Sequence, residues 1–332
     1  MDLVHEIPGI GVIPAAYKAD FLDLDAGGDG LWQVGRDGVR RILTPKDRKV
    51  EFIVFAEKTL AYIKSAMGYP ALYPLSSAPF EGPAEAVLMD LDGTSVHSET
   101  FWMWVIEQSI ARLTDNPRFS LEPADEPHVS GHSVSEHLQY CIDKYCPDKT
   151  VEAARAHYFA ITHFELAEIL AGRGRVDAFA PAPGLQEFLL TCKARGIRLG
   201  LVTSGLFEKA WPEIVSAFRV LNMGDPLEFY DAIISAGQAI RKGQVGTLGE
   251  LEPKPHPWLY AETARVGLGI TADRRHRVIG MEDSGAGVVS IRLAGFAALG
   301  VAGGNLTKSG ARPLLHAECA TLADALPIIL GE

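Results

Sequence analysis

The sequence predicts an α/β protein: a Rossmann-like parallel sheet core with an inserted all-helical cap domain and an N-terminal extension. Three observations point there. From residue 84 onward, short apolar runs alternate with amphipathic stretches. One long segment, 98–180, breaks that alternation and reads as helix alone. Residues 1–83 follow neither pattern. The division expected is therefore 1–83 for the extension, 84–97 with 181–332 for the core, and 98–180 for the cap.

In chain order, the extension opens with an irregular, Gly-rich segment over its first forty residues. Phe52, Ala56, Leu60, Ile63 and Met67 then recur at helical spacing, which predicts a helix over Lys49–Met67 stopped by Gly68 and Pro70. Pro74, Pro79 and Pro83, with Ser76 and Ser77, read as a linker. The first core strand is Ala86-Val87-Leu88-Met89, an uninterrupted apolar run of the kind buried on both faces of a parallel sheet. Further strands are expected at Ile197–Val202, Ala232–Ser235, Arg277–Met281 and Ala297–Val301. Core helices are expected at Gly184–Ala194, Pro257–Val266 and Ser284–Leu293, and cap helices at Thr100–Leu113, Ser133–Tyr145 and Val151–Leu170.

Composition narrows the function. Hydrophobic residues make up 47% and charged residues 22%, an ordinary globular balance. No apolar run approaches the roughly 20 residues that span a bilayer, and the N-terminus lacks a basic segment leading into an apolar one, so a cytoplasmic protein without a membrane partner is expected. The net charge of −11 argues against nucleic acid. Cys141, Cys146, Cys192 and Cys319 are too few for a disulfide scaffold and poorly spaced for zinc, and are read as plain thiols.

The chemistry concentrates at strand ends. Met89-Asp90-Leu91-Asp92-Gly93-Thr94 takes an apolar strand directly into two carboxylates. Asp90 is placed to attack phosphorus as a nucleophile, and Asp92 to act as general acid and then general base. A solvated turn is the alternative. Thr203 and Ser204, closing the next strand before Gly205, suit a phosphoryl oxygen, although Thr-Ser-Gly also makes a simple turn. Lys254, held before Pro255, would neutralise nucleophile and phosphoryl group together unless it is a solvated surface lysine. Glu282 and Asp283 follow a further strand and read as hard oxygen ligands for Mg²⁺, or else as an acidic helix N-terminus capped by Ser284.

Taken in this order, the four segments resemble the haloacid dehalogenase superfamily, in particular its β-phosphoglucomutase-like and phosphatase branch with a helical cap, over residues 84–332. The resemblance implies a hydrolase in which Asp90 and Asp92 are catalytic and Thr203, Ser204 and Lys254 bind phosphate. It implies Mg²⁺ held by Asp90, the Asp92 carbonyl and Asp283, with Glu282 supporting. It also implies that His132 and Ser133, in Gly131–His137, touch substrate; a helix-capping role for Ser133 with Glu136 remains open. The mutases' Ser-Lys after the second motif is replaced by Gly205-Leu206, and Gly237–Pro253 is long for the family.

Asp23-Leu24-Asp25-Ala26-Gly27 looks like a second such motif. It lacks the following Thr, and as a calcium loop its twelfth position is Val34 rather than Glu, so it reads as a polar loop. The expected function is Mg²⁺-dependent hydrolysis of a small phosphomonoester, a sugar phosphate or a phosphoglycolate-like acid, through an aspartyl phosphate. A phosphosugar mutase and a non-catalytic metabolite-sensing or partner-binding module stand as alternatives. The extension is expected to dock on the core or support an oligomer.

Overall fold

The computed structural model describes residues 6–63, 70–125, 129, 134–235, 238–240 and 252–332. Residues 1–95, 182–210 and 225–332 form one compact unit, and residues 96–181 with 211–224 form another.

The extension is a five-stranded antiparallel sheet in the order β1-β2-β3-β4-β5: β1 (Phe21–Leu24), β2 (Arg41–Pro45), β3 (Val50–Val54), β4 (Thr59–Ile63) and β5 (Ala71–Leu75). The expected Lys49–Met67 helix is therefore wrong. Its stripe mixes Phe52 of β3, Ala56 of a turn, and Leu60 and Ile63 of β4, while Met67 lies outside the described residues. The β-branched and aromatic run Val50-Glu51-Phe52-Ile53-Val54 favours a strand. Both faces are covered, which hides the period of two. Val50, Phe52, Val54, Leu43, Ala61 and Ile63 join one core cluster, whereas Ile53, Ile42, Tyr62 and Val39 form a second.

Two other expectations change with it. Pro74 belongs to β5, an edge strand where a missing N–H is tolerated, rather than to a linker. Asp23 lies within β1 instead of a loop, and pairs with the Arg41 guanidinium through both carboxylate oxygens.

The core begins with β6 (Ala86–Asp90). The second unit contains the two-residue strands β7 (Val96–His97) and β8 (Ala180–Pro181), which pair with each other, and helices α1 (Glu99–Leu113), α2 (Val134–Tyr145) and α3 (Val151–Leu170). Inside it, Asp125 is fully buried and accepts hydrogen bonds from Tyr140, Tyr145 and Lys144. The core resumes with α4 (Leu185–Ala194) and β9 (Arg198–Val202); α5 (Phe207–Leu221) follows, most of it belonging to the second unit, and then β10 (Ala232–Ser235), β11 (Gln238–Ile240) and α6 (Trp258–Glu262) of the core. It closes with β12 (Val278–Glu282), α7 (Gly285–Leu293), β13 (Ala297–Val301), β14 (Ala317–Cys319) and α8 (Leu322–Leu330). The strand order is β11-β10-β9-β6-β12-β13-β14. All neighbours in it are parallel except β10 and β11. The four cysteines are free and buried.

Apolar residues of the extension's inner face share one cluster with Val288, Val289 and Ile291 of α7 and with Leu314. Polar clips surround that contact. Arg292 donates to the carbonyls of Gly9, Ser76 and Leu314. Asp20, 1% exposed, accepts from Lys46 at 2.6 Å and from Arg312 at 2.7 and 3.1 Å. Burial pushes the Asp20 carboxyl up, but hydrogen bonds and charge from Arg312 and Lys46 outweigh it and hold the group below its ordinary value. A depressed carboxyl stabilises the fold above its unfolded value, about 3.9, and that contribution disappears as pH falls through the folded value. Asp20→Asn is thus expected to lose about 2 kcal/mol in urea unfolding at neutral pH, less than the roughly 3–5 kcal/mol of a fully buried pair because both cations keep some water. The gap to the parent should narrow in acid.

Candidate active site

The parallel register brings the motifs together. β6 lies between β9 and β12, with Asp90 opposite Val202 and Met89 opposite Met281. Asp90, Thr203 and the Glu282-Asp283 pair therefore leave adjacent strands at one edge, where open α/β sheets bind their ligands.

Lys254 is the hub. Its side chain is 8% exposed, and its ammonium is paired with Asp90 Oδ1 and, at 2.6 Å, with Glu282 Oε1. Glu282 is saturated by donors: Tyr260 Oη at 2.8 Å shares Oε1 with Lys254, while Ser284 gives its N–H and hydroxyl to Oε2. Ser284 also caps α7, accepting the Gly287 N–H at 3.1 Å. The main-chain N–H of Lys254 donates to Ser204 Oγ at 3.1 Å, which ties the second and third motifs.

Two glycines make room for the acids. A Cβ on Gly93, whose φ is +87°, would meet Asp283 Oδ2 at 1.9 Å, and one on Gly287 would meet Glu282 at 1.8 Å. Ser95 Oγ donates to the Asp90 carbonyl at 2.6 Å and fixes the turn after β6.

Asp92 stands in a different environment. Its side chain is 38% exposed; Thr203 Oγ1 donates to it at 3.3 Å, and Lys209 Nζ lies at 3.7 Å. Thr203 is fully buried and also accepts the Gly205 N–H at 2.9 Å. One carboxylate is thus sealed against an ammonium while its neighbour two residues on keeps access to water.

Burial, then Glu282, push the Asp90 carboxyl well above the ordinary range, against the opposing charge of Lys254. Burial and the neighbouring Glu282 carry Asp283 up to about 7. Burial alone would lower the Lys254 ammonium, but Asp90 and Glu282 raise it above its usual value, so it stays charged.

Asp90, Asp92, Thr203, Ser204, Lys254, Glu282 and Asp283 thus gather in one unit. His132 and Ser133 lie outside the described residues, as do residues 241–251 of the long segment before Lys254. Nothing in the sequence marks Tyr260 or Lys209 as part of the site. Tyr260 sits inside an apolar helical stretch, where a phenol looks like core. Lys209 falls on the first turn of α5, a helix that the alternation did not reveal.

The haloacid dehalogenase-like hydrolase family matches residues 84–295. The chain belongs to that family. No curated protein matches it in sequence. Among solved structures, CbbY from Rhodobacter sphaeroides, in complex with phosphate, shares its fold with a TM-score of 0.51 and 18% identity, covering 73% of this chain and 96% of that one. A predicted phosphoglycolate phosphatase from Haemophilus somnus 129PT gives a TM-score of 0.53 and 19% identity over 74% and 98% of the two chains. A HAD-superfamily hydrolase, subfamily IA, from Geobacter sulfurreducens PCA gives 0.52 and 16% over 76% and 99%. No helix among the described residues is long and apolar enough to cross a membrane.

The acid set of this haloacid dehalogenase-like hydrolase fits a divalent cation. Ligand atoms of Asp90, Glu282 and Asp283 lie within 4.8 Å of one another. Lys254 balances one of those buried charges, and Asp283 has no ion-pair partner among the described residues. Glu282 already accepts from four donors, so of the three it has the least lone-pair capacity to spare for a cation.

A pH test follows from Asp283. Its folded value of about 7 lies above the unfolded 3.9 or so, so the folded state holds the proton longer and stability falls as pH rises through that window. In EDTA, the melting temperature should drop between about pH 4 and pH 7 more steeply than in Asp283→Asn. Mg²⁺ added at the upper pH should raise it in the parent and leave Asp283→Asn unmoved.

Proposed function

We propose that the protein is a phosphatase hydrolysing a small phosphomonoester, a sugar phosphate or phosphoglycolate-like acid, through an aspartyl phosphate on Asp90. The observation that carries this reading is the contrast between the two motif carboxylates. Asp90 is sealed in a charge-paired pocket, and Asp92 is partly open and steered by a hydroxyl. A nucleophile needs the first environment and a proton-transfer group the second.

In this reading Asp90 Oδ attacks phosphorus and the bond from phosphorus to the substrate oxygen breaks. Asp92 gives its proton to that departing oxygen. Water then attacks phosphorus, Asp92 takes one of its protons, and the bond to Asp90 breaks to release inorganic phosphate. Lys254 stays between Asp90 and the phosphoryl oxygens and offsets the negative charge gathering there. The Thr203 hydroxyl and neighbouring backbone N–H groups hold a phosphoryl oxygen, while Ser204 anchors the Lys254 main chain. Mg²⁺, held by Asp90, the Asp92 carbonyl and Asp283, would supply charge neutralisation for an anionic substrate. Glu282 keeps Lys254 aimed rather than serving as a ligand.

A phosphate-release screen over small phosphomonoesters tests this directly. Turnover is expected with Mg²⁺ and not in EDTA. Asp90→Asn should lose at least about a thousandfold in kcat with an unchanged fold. Asp92→Asn should lose about a hundredfold or more. Substantial turnover by Asp90→Asn would remove the covalent route. Isomerisation of a phosphosugar without phosphate release would indicate a mutase instead.

A further inference from the structure

Tyr73 lies on β5, outside the residues that match the family. Its hydroxyl is 2.8 Å from Nδ1 of His256, and its ring meets the imidazole edge-on at 5.8 Å and the Trp258 ring at 5.9 Å. His256 follows Lys254 by two residues and is buried. Besides Glu252 Oε2, 3.9 Å from Nε2, three hydrogen bonds hold it. Its N–H donates to the Pro253 carbonyl at 3.0 Å. Its own carbonyl accepts from Ser290 Oγ at 2.6 Å. The imidazole meets Tyr73. Burial holds His256 below its ordinary value, which favours the neutral imidazole; with the proton on Nε2, Nδ1 accepts from the Tyr73 hydroxyl.

The segment between residue 252 and the start of α6 has no strand or helix to hold it. The place of Lys254 therefore depends on side-chain tethers: Ser204 on its N–H, Ser290 on the His256 carbonyl and Tyr73 on the His256 ring. Only the last comes from the N-terminal sheet. That sheet is itself fastened to the core by Asp20, Arg292 and a shared apolar cluster, so it offers a rigid anchor. Substituents that must meet a reacting phosphoryl group need placement to within about 0.5 Å.

We propose that Tyr73 is a positioning residue: through His256, the N-terminal sheet fixes the loop that aims Lys254 at Asp90. This rests on the reading of Lys254 as a phosphoryl-binding group. Four full-length proteins are compared with p-nitrophenyl phosphate as substrate and inorganic phosphate as inhibitor: the parent, Tyr73→Phe, Lys254→Met and Val50→Ala. Tyr73→Phe keeps the ring and loses only the hydroxyl. It should lower kcat about tenfold and raise the phosphate inhibition constant about fivefold, losses of the size that misplacement gives. Val50→Ala opens a cavity in the sheet on β3, while Tyr73 stands on β5; it should lower the melting temperature and leave both constants within about twofold. The proposal is overturned if Tyr73→Phe matches the parent in both constants, or if Val50→Ala reproduces its losses. If Lys254→Met leaves phosphate inhibition unchanged, the functional reading fails first and the positioning role falls with it.

Discussion

One buried ammonium organises this molecule's chemistry. Lys254 is held between Asp90 and Glu282, almost out of water. Without it, the sealed Asp90 and Glu282 carboxylates would face each other with no cation between them, a cost of several kcal/mol. Much of the surrounding structure follows from that requirement. Glu282 must present both oxygens to donors, so Tyr260 and Ser284 stand where they do. Gly287 must lack a side chain because the Glu282 carboxylate occupies its space, and Gly93 must lack one for Asp283. The two adjacent acids consequently have different work. Glu282 is engaged in holding Lys254, and Asp283 has no ion-pair partner among the described residues.

The same requirement gives the N-terminal sheet a place in the account. A lysine on a segment without regular structure is only as well aimed as its tethers. The antiparallel sheet stands outside the matched family region, yet it is built into the same unit as the parallel core. It buries one face on α7, the helix that begins beside Glu282 and Asp283 and carries Ser290. Extension and acidic motif are thus braced by one helix, and β5 delivers Tyr73 to the residue next but one to Lys254.

How much of this was legible in the sequence varies with physical cause. The core strands were readable because parallel strands buried on both faces are short apolar runs: Ala232–Ser235 and Ala297–Val301 end where the sequence places them. The acids, Thr203 and Lys254 stood out because polar residues directly after such runs have few structural reasons to be there. The extension is obscured by the same burial on both faces that makes the core strands plain. With β3 covered on both sides, Val50–Val54 lost the alternation that marks an antiparallel strand, and residues from two strands and a turn simulated a helical stripe. Tyr73 and Tyr260 carried no signal of their own, since a tyrosine declares a polar partner only once the partner's position is known. Lys209 was hidden with the helix that carries it.

The mechanism requires Asp90 to become covalently phosphorylated, and chemical trapping tests this most directly. The protein is mixed with a turned-over phosphomonoester and Mg²⁺, quenched in acid within a single turnover and reduced with borohydride, and the peptide spanning Asp90 is sequenced by mass spectrometry. An acyl phosphate is reduced where a free carboxylate is not, so residue 90 should be recovered in part as homoserine, only when substrate was present, and Asp92 should be untouched. Full turnover with Asp90 unmodified at every quench time, or modification at Asp92 instead, would contradict the mechanism.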